Sequence, residues 1–195
     1  MNEIDESIAE LLVSLQLAED YNSLPLELMS KGESNYVKDL KVNLKNVLTS
    51  NYLSLKETSL LGLSIAVNAK NKALISYFTL LSEAQGATYQ ELGEATACAS
   101  LLASNNVFYR FRHFVDKEKY NQLPGRIRMN IMMKPATGKE FFELMSLAVS
   151  AVNGCEMCVK AHEHSLIELG TKEERIFDTI RLAAVVTSLD RVVYA

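Results

Sequence analysis

Long apolar runs are missing from this sequence. Its longest apolar stretches, such as 147–152, fall far short of the ~20 residues that span a bilayer. A large charge of one sign is missing too: 20 Lys and Arg stand against 24 Asp and Glu, a net charge of −4. The chain therefore has no general electrostatic pull on nucleic acid or on an anionic membrane. Cysteine is scarce and odd in number, three in all, which makes a poor disulfide framework for a secreted protein. In a reducing compartment two close cysteines are more often catalytic, redox-active or metal-binding. The amino-terminal MNEIDESIAELLVSLQL carries acids where a secretory signal carries Lys or Arg. It reads as an amphipathic helix of the mature protein, and the expected location is cytoplasmic. Alternating β-branched segments are absent as well.

What is present is helical periodicity in an ordinary globular composition. Apolar and charged fractions of 48% and 23% exclude disorder, collagen-like repeats and a coiled-coil rod. A chain of 195 residues reads as a single domain, 1–195, that buries roughly 70% of its unfolded surface and needs no staple. From Glu3 to Ala18, Ile4, Ile8, Leu11, Leu12 and Leu15 recur at helical spacing, and from Ser34 to Leu48 so do Val37, Leu40, Leu44, Val47 and Leu48. A polar stretch with Pro25 and Gly32 separates them. Further helices are predicted near 57–68, 70–85, 88–104, 139–153, 155–169 and 172–192, with an irregular stretch over 116–135. Thr88 with Glu91, Thr137 with Glu140, and Thr171 with Glu174 have capping-box spacing. Gly86 and Gly170 suit left-handed helix stops. The fold class is all-α.

A weak repeat points to duplication of a helical half, with halves near 37–104 and 139–195. Ala66-Val67-Asn68 recurs as Ala151-Val152-Asn153, and Leu81-Ser82-Glu83 as Leu166-Ile167-Glu168, both 85 residues apart. The same offset places Lys70, Ala73 and Tyr77 opposite Cys155, Cys158 and His162. None of the three can do thiol chemistry, so the working site belongs to the second half.

That site is Asn153-Gly154-Cys155-Glu156-Met157-Cys158-Val159-Lys160-Ala161-His162-Glu163-His164. With a helix starting at or just after Gly154, Cys155 falls in its first turn, where free backbone N–H groups favour a thiolate. Spacings of three and four residues then put Cys155, Cys158 and His162 on one face, a nucleophile, a resolving thiol and a base. Haem attachment needs His directly after the second Cys, and Val159 stands there. A zinc site could recruit the two cysteines with His162 and His164, but those histidines diverge on a helix and no second ligand pair exists. A thioredoxin-like site needs a βαβ context, and two inert core cysteines are the bland alternative. Cys98, in ATACASLLA, reads as a small core residue, and His164 as a surface or structural one. The run Phe108-Tyr109-Arg110-Phe111-Arg112-His113-Phe114 mixes aromatic and basic residues, but helix or subunit contact suits it better than nucleic acid.

The motif NGCEMCVKAHEHSL, with Glu143 upstream in FELMSLAVSAV, resembles the active-site signature of the AhpD alkyl hydroperoxide reductases, within the carboxymuconolactone decarboxylase-like superfamily. NNVFYRFRHF at 105–114, LPGRIRMNIM at 123–132 and VKDLKVNLKNVL at 37–48 are similar to that family too. The resemblance implies a duplicated all-helical fold, usually a homotrimer. It implies reduction of organic hydroperoxides by a CxxC dithiol, with no bound cofactor and no metal. It further implies transfer of electrons from dihydrolipoyl groups, as dihydrolipoamide on a dihydrolipoyl protein, to a partner AhpC-type peroxiredoxin. The family's catalytic acid falls on Glu143, its cysteines on Cys155 and Cys158, and its histidine on His162. Many members carry a further His just before the second cysteine, where this sequence has Met157.

Helix-dipole reasoning favours Cys155 as the attacking thiol, by ~0.3–1 kcal/mol. The adjacent base favours Cys158, one turn from His162, by as much as ~10²–10⁴ in rate. The base outweighs the dipole, and the resemblance agrees: Cys158 is the expected nucleophile and sulfenic acid, Cys155 the proton donor and resolving thiol. Two other readings stand beside this one, a non-enzymatic redox sensor or adaptor and a carboxymuconolactone decarboxylase-like enzyme.

Overall fold

A computed structural model describes residues 3–194; Met1, Asn2 and Ala195, the ends of the expected 1–195 domain, lie outside the described residues. Among the described residues there are ten α-helices, one short 3-10 turn and no strand. The helices are α1 (Glu3–Ser14), α2 (Leu24–Lys31), α3 (Tyr36–Leu48), α4 (Leu55–Ala69), α5 (Lys72–Ala84), α6 (Tyr89–Val115), α7 (Glu118–Gln122), α8 (Lys139–Val152), α9 (Glu156–Glu168) and α10 (Glu173–Asp190). The all-α class is as the sequence predicts.

Helices α4 and α8 are buried along most of their length and form the centre. Helix α4 packs on α5, α6, α8 and α10, while α8 packs on α6, α9 and α10. At Gly62 the ring of the fully buried Phe78 occupies side-chain space: a Cβ there would come within 2.3 Å of it. Glycine thus sets the close approach of α4 and α5. The amino-terminal helices lie outside this centre, α1 against α2 and α3, and α3 against α10.

Two helix triplets share a layout. Helices α4, α5 and α6 begin at Leu55, Lys72 and Tyr89, and α8, α9 and α10 begin at Lys139, Glu156 and Glu173, in the same rhythm. Asn68 and Asn153, the repeated asparagines, exchange amide hydrogen bonds of 2.9 and 3.1 Å. The link between α8 and α9 is one residue longer than that between α4 and α5. By helix position the counterparts of Cys155, Cys158 and His162 are therefore Asn71, Leu74 and Phe78, one residue along from those the 85-residue offset selects.

Several local expectations need correction. The polar stretch around Pro25 contains α2: Ser23 caps it, accepting from Leu26 N–H, and Pro25 sits in the first turn where its missing N–H costs nothing. Helix α1 stops at Ser14, four residues early, with Gln16 left-handed just beyond. The Thr88–Glu91 box forms. At Thr137 it does not, because the buried carboxylate of Glu94 takes the N–H groups of Ala136 and Thr137 at 2.6 and 2.7 Å, leaving Gly138 as the cap. At Thr171 the hydroxyl donates to Glu140 instead, and Lys172 is the cap. Ser54 and Glu57 form a box that the sequence reading missed. Gly86 and Gly170 do adopt positive φ, at 75° and 80°.

The segment 116–135, expected to be irregular, holds α7 and the 3-10 turn Asn130–Met132. The aromatic-basic run works within the chain: Arg112 lies over the Phe108 ring and bonds the Leu123 carbonyl, and Phe111 meets Tyr120 edge-on. No helix among the described residues is long and apolar enough to cross a membrane.

Candidate active site

Helices α8 and α9 form a hairpin, and its turn builds the site. Helix α8 ends at Val152, and the chain reverses through Asn153, left-handed Gly154 (φ 66°) and Cys155, whose N–H reaches back to the Ser150 carbonyl at 3.1 Å. This is the six-to-one closure of a glycine-terminated helix. Asn153 is held from three sides. It bonds Asn68, it donates to Asn106 Oδ1 at 2.9 Å, and its carbonyl accepts from Arg110 at 2.6 Å.

Cys155 is the N-cap of α9 and not part of its first turn, which begins at Glu156. Cys158 is the residue in that first turn. The two sulfurs are joined in a disulfide with Cα atoms 5.3 Å apart. Cys155 is 0% exposed and Cys158 6%. The antiparallel hairpin also brings Glu143, near the start of α8, beside His162 on α9: Glu143 Oε2 and His162 Nδ1 are 2.6 Å apart. A carboxylate only accepts, so Nδ1 carries the proton and donates, leaving Nε2 available as a base.

A cavity of about 390 Å³ contacts Glu143, Cys158 and His162 together. The second sulfur, on Cys155, is absent from its wall. Leu102, Met129, Met132, Met157 and Ala161 make the wall largely apolar, and Asn105, Tyr109 and Ser165 add polar groups. Met157, where many family members have His, is thus part of this wall. Asn105, Tyr109, Met129 and Met132 were not among the residues chosen from sequence for the site. Their signal was there in the NNVFYRFRHF and LPGRIRMNIM stretches, but only as likeness, since no spacing rule links them to Cys158.

His164 stays outside, on the exposed side of α9, 3.4 Å from Glu168. Cys98 is fully buried, 3.7 Å from Ser146 Oγ. Burial pushes its thiol up to about 12, the Ser146 contact opposing and the Glu94 and Glu143 carboxylates adding to the rise. It is the small core residue expected. Among the described residues no cluster of three or more His, Cys, Asp or Glu could hold a metal.

A helical hairpin with a dithiol at its turn, beside an acid–imidazole pair in a shared cavity, defines a thiol oxidoreductase by its chemistry. Residues 119–195 match the carboxymuconolactone decarboxylase family. The chain is 42% identical over 150 residues to the alkyl hydroperoxide reductase AhpD of Anaeromyxobacter dehalogenans (strain 2CP-C), covering 76% of this chain and 80% of that protein. It is also 42% identical over 166 residues to the AhpD of Coxiella burnetii (strain RSA 493 / Nine Mile phase I), covering 81% and 90%. The chain belongs to the AhpD family.

Proposed function

We propose that this alkyl hydroperoxide reductase works through Cys158, with Cys155, His162 and Glu143 in support. The observation that carries the reading is the cavity shared by Cys158, His162 and Glu143, with Cys155 bonded behind it. In the reduced state His162, oriented by Glu143, takes the Cys158 proton directly or through water. The thiolate attacks the distal peroxide oxygen, the O–O bond breaks, and the alkoxide leaves as alcohol with a proton from the imidazolium or from Cys155. Cys158 becomes a sulfenic acid. The Cys155 sulfur then displaces hydroxide from it, giving the disulfide and water.

Because Cys155 is the cap and Cys158 lies in the first turn, helix dipole and local base now favour the same sulfur. A dithiol must reopen the disulfide, and dihydrolipoamide on a dihydrolipoyl protein is the proposed donor. An AhpC-type peroxiredoxin is the proposed second acceptor. The matching helix triplets and the Asn68–Asn153 pair support a single domain made by duplication.

Steady-state reduction of cumene hydroperoxide by dihydrolipoamide tests the cycle. Catalytic turnover is expected; one-time oxidation of the dithiol without turnover would make the protein a sensor. Mass spectrometry after one equivalent of hydroperoxide tests the roles. Cys155→Ser is expected to accumulate a dimedone-trappable sulfenic acid at Cys158, and rapid trapping at Cys155 in Cys158→Ser would reverse the assignment.

A further inference from the structure

Asn105 carries a polar atom that the mechanism above leaves unused. Its side chain lines the cavity of Cys158, His162 and Glu143, yet the residue is only 5% exposed. Its amide nitrogen donates to the sulfur of Met129, another wall residue, at 3.1 Å. A thioether can only accept, so this contact fixes which way round the amide sits. The carbonyl oxygen, Oδ1, is buried and has no hydrogen-bond partner in the protein. A buried acceptor left unmatched is costly, and one in the wall of a reactive cavity is matched most simply by what enters there.

The neighbouring residue shows the contrast. Asn106, next on α6, bonds Ser150 through its amide nitrogen and receives Asn153 on its oxygen, so it is fully used in holding the hairpin turn. Asn105 has half its capacity spare.

A hydroperoxide ROOH has one donor, the O–H on its distal oxygen. That is the oxygen a thiolate must strike. The remaining wall, Leu102, Met129, Met132, Met157 and Ala161, suits the alkyl part, with polarizable methionines adapting to its shape. We infer that Asn105 Oδ1 accepts the hydroperoxide O–H, holding the distal oxygen for Cys158 while the methionine-rich wall takes the organic group. This rests on the reading of Cys158 as the peroxide-reducing thiol. The hydrogen stays on the transferred oxygen: thiolate and ROOH give S–OH and RO⁻, the alkoxide gains a proton from His162, and the same Oδ1 can accept from the new sulfenic O–H. Selection for organic hydroperoxides over hydrogen peroxide follows from the apolar wall.

The test compares two oxidants on the fully reduced protein in single turnover, cumene hydroperoxide and an aromatic disulfide that reports thiolate reactivity alone. Asn105→Ala and the near-isosteric Asn105→Leu are expected to react about tenfold more slowly with the hydroperoxide and within about twofold of wild type with the disulfide. Equal losses with both oxidants, or no loss with the hydroperoxide, overturn the inference. Wild-type protein that reacts with the disulfide but not with cumene hydroperoxide refutes the peroxidase reading itself, and the inference with it. Should neither variant fold, the side-chain amide resonances of Asn105 in reduced wild type are followed as cumyl alcohol, the product and an O–H donor, is added. A saturable shift supports the contact, and no shift overturns it.

Discussion

Burial decides which of the three thiols reacts. Cys98 has no exposure, and its thiol is pushed up to about 12, so it stays protonated at any working pH. Cys98→Ala is expected to leave peroxide turnover within about threefold of wild type, with a stability loss of about 1 kcal/mol from the small cavity. Loss of turnover in that variant with its circular dichroism intact would put Cys98 in the mechanism. Replacing His162 with Gln removes the base next to Cys158 and is expected to lower the single-turnover rate by about 10²-fold; an unchanged rate would remove it. Cys155, Cys158, His162 and Glu143 were legible in the sequence because they lie on one hairpin, where helical spacing predicts proximity. Asn105, Tyr109, Met129 and Met132 were not, because they reach the site across tertiary contacts that no local pattern encodes. The cap position of Cys155 was missed by one residue, which reversed the sense of the dipole effect.

At the level of helices, capping carboxylates are shared between elements. Glu57 completes the cap of α4 and also binds Arg175 of α10 at 2.5 Å, while Arg175 bonds Glu140 of α8 and the Tyr52 carbonyl. Burial alone would push the Glu57 carboxyl up, but the Arg175 guanidinium and the Ser54 N–H and hydroxyl hold it below the usual range. A carboxyl lowered by folding adds stability that is complete above its unfolded value and is lost as pH falls through its folded one. Arg175→Leu is therefore expected to cost about 1–3 kcal/mol near neutrality. Urea unfolding at several pH values should show the gap from wild type narrowing below about pH 4. A gap of constant size would assign the loss to apolar contacts of the arginine stem. The same sharing explains two misread caps: Glu94 and Glu140 satisfy backbone and hydroxyl groups from other segments, so the Thr137 and Thr171 boxes have competitors that sequence spacing does not reveal. Helix α6 runs past residue 104 for a related reason. Asn105 and Asn106, poor helix formers, find partners in Met129, Ser150 and Asn153 that outweigh their propensity.

For the molecule as a whole, the fold class was legible because periodicity is a property of the entire chain. The assembly is a separate matter. Light scattering is expected to give a homotrimer, and a monomer at working concentration would count against it. Cys158, His162, Glu143 and Asn105 come from α6, α8 and α9 of one chain. Mixing Glu143→Gln with Cys158→Ser is therefore expected to restore no activity beyond the sum of the two; recovery would place part of the site on a neighbouring subunit. The hidden position of Cys155 has a kinetic meaning. Thiol–disulfide exchange requires direct approach to the sulfur attacked, and only Cys158 faces the cavity. Reductant and oxidant must then use the same doorway, one after the other. Such a carrier alternates between two half-reactions, each substrate in excess shuts out the other, and electrons enter and leave through a single atom.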